Sequence, residues 1–189
     1  MEVPCCGGLE MAAKKALQTS GKFIPWQVVT ISIDGKTGFF TSADGGGKFK
    51  KERELAGPVK NIFVDPGSPA HDRTIYLCAK NGITKRGRGV WKTHAHPDVK
   101  IFNEFSGGFD RQRKRYVIYA ISGLSYFNSE KEQSGVYFTD NGGERWENMQ
   151  GGLTRFAAKG AGMPEWRSIA TSALHPEVVY VSYANLKVH

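Results

Sequence analysis

One five-residue phrase occurs three times in this chain. It reads Gly38-Phe39-Phe40-Thr41-Ser42, then Gly89-Val90-Trp91-Lys92-Thr93, then Gly135-Val136-Tyr137-Phe138-Thr139. The order is glycine, apolar, aromatic, any residue, hydroxyl, and the three glycines lie 51 and 46 residues apart. Internal repetition at such a period is the sequence mark of an architecture built from stacked, similar units. The residues that follow repeat as well. Ser42, Asp44, Gly46 and Phe49 recur as Thr139, Asn141, Gly143 and Trp146, with an amide in place of the acid. The middle copy is degenerate: from Thr93 to Phe102 it carries His94-Ala95-His96-Pro97-Asp98, lacks glycine and is two residues longer.

Upstream of each phrase lies a run rich in β-branched and aromatic residues: Trp26–Ile33, Thr74–Ala79 and Tyr116–Ile121. A fourth such run covers Glu177–Ser182, and further strand-like segments, Val59–Val64 and Trp166–Thr171, precede two of the four. Each unit therefore reads as strand, turn, strand, turn, strand bearing the phrase, glycine-rich turn, short strand. Four strands per repeat of roughly 45–50 residues is the pattern of a β-propeller blade. The turn chemistry agrees. Glycine and asparagine supply positive φ at low cost, and Ser, Thr, Asp and Asn side chains accept the turn's own N–H groups. On this reading Ser42, Asp44, Gly46 and Phe49 fix a corner of the fold.

At these residues the chain resembles the Asp-box, or BNR, repeat, Ser/Thr-x-Asp-x-Gly-x-x-Trp/Phe. That repeat marks sialidases, xyloglucanase-like glycoside hydrolases and sortilin (Vps10) receptors. The first copy matches fully, the third with Asn141 for the acid, and the second only at Thr93 and Phe102. Val64-Asp65-Pro66 and the Gly-Val-Trp-Lys and Gly-Val-Tyr-Phe approaches to the box are similar too. The resemblance covers about residues 23–183. It implies an all-β fold, a β-propeller segment of three to four four-stranded blades, and an extracytoplasmic setting. The expected layout is a tail over 1–20 with a short helix at Leu9–Leu17, then a partial propeller over 21–189. Its blades fall at about 21–55, 56–106 and 107–150, with an incomplete one at 164–189. A ring needs about 4–8 blades, so further blades or a second copy are expected to close it.

Composition narrows the function. No stretch reaches the roughly 18–20 apolar residues of a membrane helix, and Met1–Thr19 shows no signal-peptide pattern. The chain carries a net charge of +8, concentrated in Lys85-Arg86-Gly87-Arg88 and Arg111-Gln112-Arg113-Lys114-Arg115. Both clusters read as loops between apolar runs, suited to phosphate or acidic polysaccharide, or simply to solvated edges. No aromatic platform is interleaved with them, so nucleic acid is not expected. Three cysteines, two of them adjacent and none in a CxxC pair, make neither a disulfide framework nor a zinc ribbon. Cys78 reads as a small buried side chain.

Glycoside hydrolysis usually needs two carboxylates flanking the scissile bond. Asp65, Asp72, Asp110 and Glu165 lie in expected connections, where such a pair could form, although solvated loops explain them better. The sialidase resemblance implies an arginine cluster and an Arg-Ile-Pro phrase. The chain has Phe23-Ile24-Pro25 instead, and nothing in the spacing of Arg115, Arg155 and Arg167 assigns them to a carboxylate. His94, His96 and Asp98 fit a degenerate polar turn better than a metal cluster. Trp91 and Trp146 fit core positions better than a sugar-stacking platform with Trp26 and Trp166. Asp44–Lys48 lacks the spacing and following helix of a P-loop. The expectation is a glycan-acting or glycan-binding portion of a hydrolase-like propeller. The alternatives are a sortilin-like propeller that recognises protein or glycan, and an inactive scaffold. No cofactor or metal is expected.

Overall fold

The computed structural model describes residues 15, 19, 29–31, 37–122, 135–149, 164–172 and 175–185. It is all-β, and every strand pairing described is antiparallel. Two compact units divide the chain, Met1–Pro58 and Val59–His189. In the first, β1 (Val29–Ile31), β2 (Thr37–Thr41) and β3 (Lys50–Leu55) form a meander in chain order, with β2 in the centre. Phe39 on β2 is fully buried, and the register shifts between Phe39 and Phe40. The helix expected at Leu9–Leu17 falls outside the described residues except for Lys15, whose backbone is helical.

The second unit holds two four-stranded meanders and a strand pair. The first sheet runs β4 (Val59–Val64), β5 (Ile75–Ala79), β6 (Gly82–Gly87), β7 (Val90–Ala95). The next runs β8 (Glu104–Asp110), β9 (Arg115–Ser122), β10 (Gly135–Thr139), β11 (Glu147–Asn148). Then β12 (Pro164–Thr171) pairs with β13 (Val179–Asn185). The expected strands at Val59–Val64, Thr74–Ala79, Tyr116–Ile121, Trp166–Thr171 and Glu177–Ser182 are all present, within a few residues at their ends.

The middle repeat departs from expectation. The first and third phrases lie on β2 and β10, each followed by the glycine turn and one more strand, whereas the second lies on β7, the last strand of its sheet. An extra strand, β6, stands between. Arg88 and Gly89 both have positive φ, 51° and 70°, the backbone of a two-residue hairpin whose twist matches its strands. Lys85–Gly87 is accordingly strand, where a loop was expected.

The three sheets of this unit pack face to face, and β9 shows how. Side chains alternate along a strand, and nearly all of β9 is buried. Tyr116, Ile118 and Ala120 face a core shared with Tyr76, Cys78 and Ile83 of the first sheet. Val117, Tyr119 and Ile121 face a second core with Trp166 and Ile169 of β12. Burying one such large side chain contributes about 1.5–3 kcal/mol. Close packing also selects Gly107 on β8, where a Cβ would lie 2.6 Å from the Val117 carbonyl oxygen.

The first strands of the three sheets adjoin in sequence, β4 beside β8 and β8 beside β12. Lys60 Nζ donates to the Asn103 carbonyl at 3.0 Å. Side chains of β8 cap the outer edge of β12: Glu104 Oε2 accepts from Ile169 N–H at 2.8 Å and Ser168 Oγ at 3.0 Å. Ser106 Oγ accepts from Thr171 N–H at 2.9 Å.

Candidate functional site

The glycine turns after β2 and β10 close through one set of hydrogen bonds. Ser42 Oγ donates to Asp44 Oδ1 at 2.7 Å and accepts from Gly46 N–H at 2.8 Å, while Lys48 N–H donates to Asp44 Oδ1 at 2.9 Å. In the other turn Thr139 Oγ1 donates to Asn141 Oδ1 at 2.9 Å and accepts from Gly143 N–H at 2.9 Å. Arg145 N–H then donates to Asn141 Oδ1 at 3.1 Å. Gly45, Gly46, Gly142 and Gly143 all have positive φ. The Lys48 N–H and then the Ser42 hydroxyl hold the Asp44 carboxyl below its usual range. Strand β3 follows the first turn directly, so these glycines do not open a phosphate-binding helix.

The turn after β7 is closed differently. Thr93 Oγ1 lies 2.9 Å from Thr84 Oγ1, its cross-strand partner, and takes no part in the turn. His96 supplies the acceptor instead: its Nδ1 receives the N–H groups of Asp98 at 3.1 Å and Val99 at 2.9 Å. Burial pushes the imidazole pKa down, with Asp98 acting weakly the other way. The His96 ring meets Tyr137, Phe102 and Trp146 with centroids 5.1, 5.7 and 6.0 Å away. Phe102 is fully buried and lies 4.9 Å from the Trp146 ring. The closing aromatics of the second and third repeats thus pack on each other, between successive sheets. Phe49 of the first repeat is half-buried.

Between the turn after β7 and the turn after β10 lies a groove of about 340 Å³, lined by His96, Asp98, Tyr137, Glu144, Arg145 and Trp146 among others. Two buried ring nitrogens, Trp146 Nε1 and His94 Nε2, lack a hydrogen-bond partner among the described residues. Glu144 Oε1 stands 3.7 Å from His94 Nε2. Half-buried His96 and Trp146 and the polar groups of Asp98, Glu144 and Arg145 thus line one concave surface.

The remaining candidates are dispersed. Asp65 Oδ1 accepts from Gly67 N–H at 2.8 Å, Asp72 sits 3.5 Å from Arg86, and Asp110 Oδ1 accepts from Gln112 and Arg113 N–H at 2.9 Å each. Each therefore holds its own neighbourhood. Glu165 lies on β12 rather than in a connection. Arg115 pairs with Asp140 at 2.8 Å, Arg167 is exposed on β12, and Arg155 and Trp26 lie outside the described residues. Trp166 is 4% exposed in the second core, and Trp91 is half-buried on the last strand of its sheet. His94, His96 and Asp98 come together only as a turn, and no group of three potential metal ligands occurs among the described residues. Cys78 is buried, and its thiol pKa is raised by that burial.

Searches of protein-family models, curated proteins and solved structures return no match to the chain.

Proposed function

We propose that the chain is a segment of an Asp-box β-propeller, sialidase-like or xyloglucanase-like in build, that binds glycan. The observation that carries the reading is the arrangement of the second unit. Consecutive sheets stack face to face, with β4, β8 and β12 side by side at one margin. Blades of a propeller meet in this way, first strand beside first strand around a channel. The shared hydrogen-bond set of the Ser42 and Thr139 turns supports the Asp-box assignment. The groove at His96 and Trp146 sets half-buried rings beside the polar groups of Asp98, Glu144 and Arg145, a combination that supports a sugar ligand.

Binding is favoured over hydrolysis within the described residues. Asp65 and Asp110 are engaged in turn closure and Asp72 in an arginine pair, which leaves none of them poised as an acid–base couple. Affinity electrophoresis through gels containing xyloglucan or sialylated mucin, run beside assays for released reducing ends and free sialic acid, tests this. We expect retardation in at least one gel without sugar release. Unretarded migration in both contradicts the glycan reading, and sugar release contradicts the non-catalytic one.

A further inference from the structure

A second groove, of about 290 Å³, opens on the face of the β6–β7 hairpin that the Gly142-Gly143 turn packs against. Thr74, Lys85, Gly87, Arg88 and Lys92 line it, with Val90 at the tip and Glu144 at the far wall. The register puts Lys85 directly opposite Lys92, and Gly87 opposite Val90. Two lysines facing each other across an antiparallel pair repel, and strands ordinarily avoid that arrangement. Arg88 adds a third cation from a left-handed turn position, φ 51°, where Asn or Gly is the ordinary residue. Gly87 leaves the floor without a side chain.

Four other arginines of this unit are balanced. Arg86 has Asp72, Arg113 has Asp110, Arg115 has Asp140 and Arg145 has Glu147, all within 4 Å. Lys85, Arg88 and Lys92 have no carboxylate at that distance among the described residues; Lys85 instead lies over the Tyr76 ring at 5.8 Å. Like charges held together in a concave place, with a hydroxyl and an open floor beside them, are balanced by an anion from outside.

We infer that this groove binds a tetrahedral oxyanion, free or carried as a sulfate or phosphate ester. The inference does not depend on ring closure or on the glycan reading above. Titration calorimetry of the full chain with sodium sulfate, at ionic strength held constant by sodium chloride, tests it. We expect one saturable site, weakened about tenfold by Lys85→Ala and by Lys92→Ala, and tightened about threefold by Glu144→Gln through loss of repulsion. Without sulfate, Lys92→Ala should melt no lower than the parent, because it relieves the opposed pair; lost binding then comes from a folded protein. Absence of saturation, or both lysine variants binding like the parent, overturns the site. Galactose 6-sulfate and glucose 6-phosphate are then tested as competitors. Displacement of sulfate by either supports an ester ligand, and failure of both overturns that part and leaves a site for a free ion.

Discussion

His96 holds the turn between β7 and β8 through one ring nitrogen. Nδ1 accepts two backbone N–H groups, so its lone pair has to be free and the ring proton has to sit on Nε2. Adding a proton at Nδ1 would aim a third N–H at two others. An unfolded histidine titrates near 6.5, and burial sets the folded value lower. Between those two values the unfolded chain binds more protons, so acidification favours unfolding. The contribution of His96 is therefore complete above pH 6.5 and is lost as pH falls through the lowered folded value. His96→Asn keeps an acceptor that does not titrate, as Asn141 does in the equivalent turn. Urea unfolding at pH 7.5 and pH 5.0 should show a smaller loss of stability on acidification for His96→Asn than for the parent. An equal loss in both would mean that the proton goes elsewhere. The sequence pointed to this turn as degenerate and polar but not to its mechanism. The imidazole takes the place of both the hydroxyl and the acid, and that substitution is visible only in hydrogen-bond geometry.

Strands differ in how openly their sequences declare them. β5 and β9 are runs of β-branched and aromatic residues buried on both sides, and their sequences say so directly. β8 does not, because Gly107-Gly108 in its middle reads as a turn. The structure supplies the reason for the first of these: at Gly107 the neighbouring strand's backbone comes too close for any Cβ. β6 is hidden in another way, since Lys85 and Arg86 resemble a solvated loop and the Arg88-Gly89 hairpin carries no Asn-Gly signal. β6 alone explains why the second repeat phrase lies one strand later than expected. A substitution at Gly107 tests the element directly. Gly107→Ala would force its methyl against the Val117 carbonyl and the Tyr116 ring, and we expect a loss of about 1–3 kcal/mol in urea unfolding. Gly57→Ala, with nothing within 4 Å of the added carbon, should change stability by less than about 1 kcal/mol. Equal effects at the two positions would mean that β8 and β9 are not in this contact.

Three sheets in one unit raise the question of whether they unfold together. Sheets sharing a core between two broad faces should be strongly coupled, as the first and second are through Tyr76, Ile83, Phe105 and Ile118. The β12–β13 pair is smaller, and β12 is tied to β8 through side chains rather than a backbone ladder. Glu104 receives Ile169 N–H and the Ser168 hydroxyl, while Ser106 receives Thr171 N–H. This junction was not legible in the sequence, because Glu104 and Ser106 are ordinary polar residues on a strand whose glycines concealed it. A hydrogen bond to a charged acceptor contributes about 1.5–3 kcal/mol. Glu104→Ala should accordingly raise the exchange rate of the Ile169 amide at least about tenfold in native-state hydrogen exchange. The amides of β5, two sheets away, should keep their protection. Protection lost equally in β5 and β12 would show that the three sheets open as one cooperative body. Protection unchanged at Ile169 would show that the Glu104 contact carries no load, and that Trp166 and Ile169 packed on β9 hold β12 by themselves.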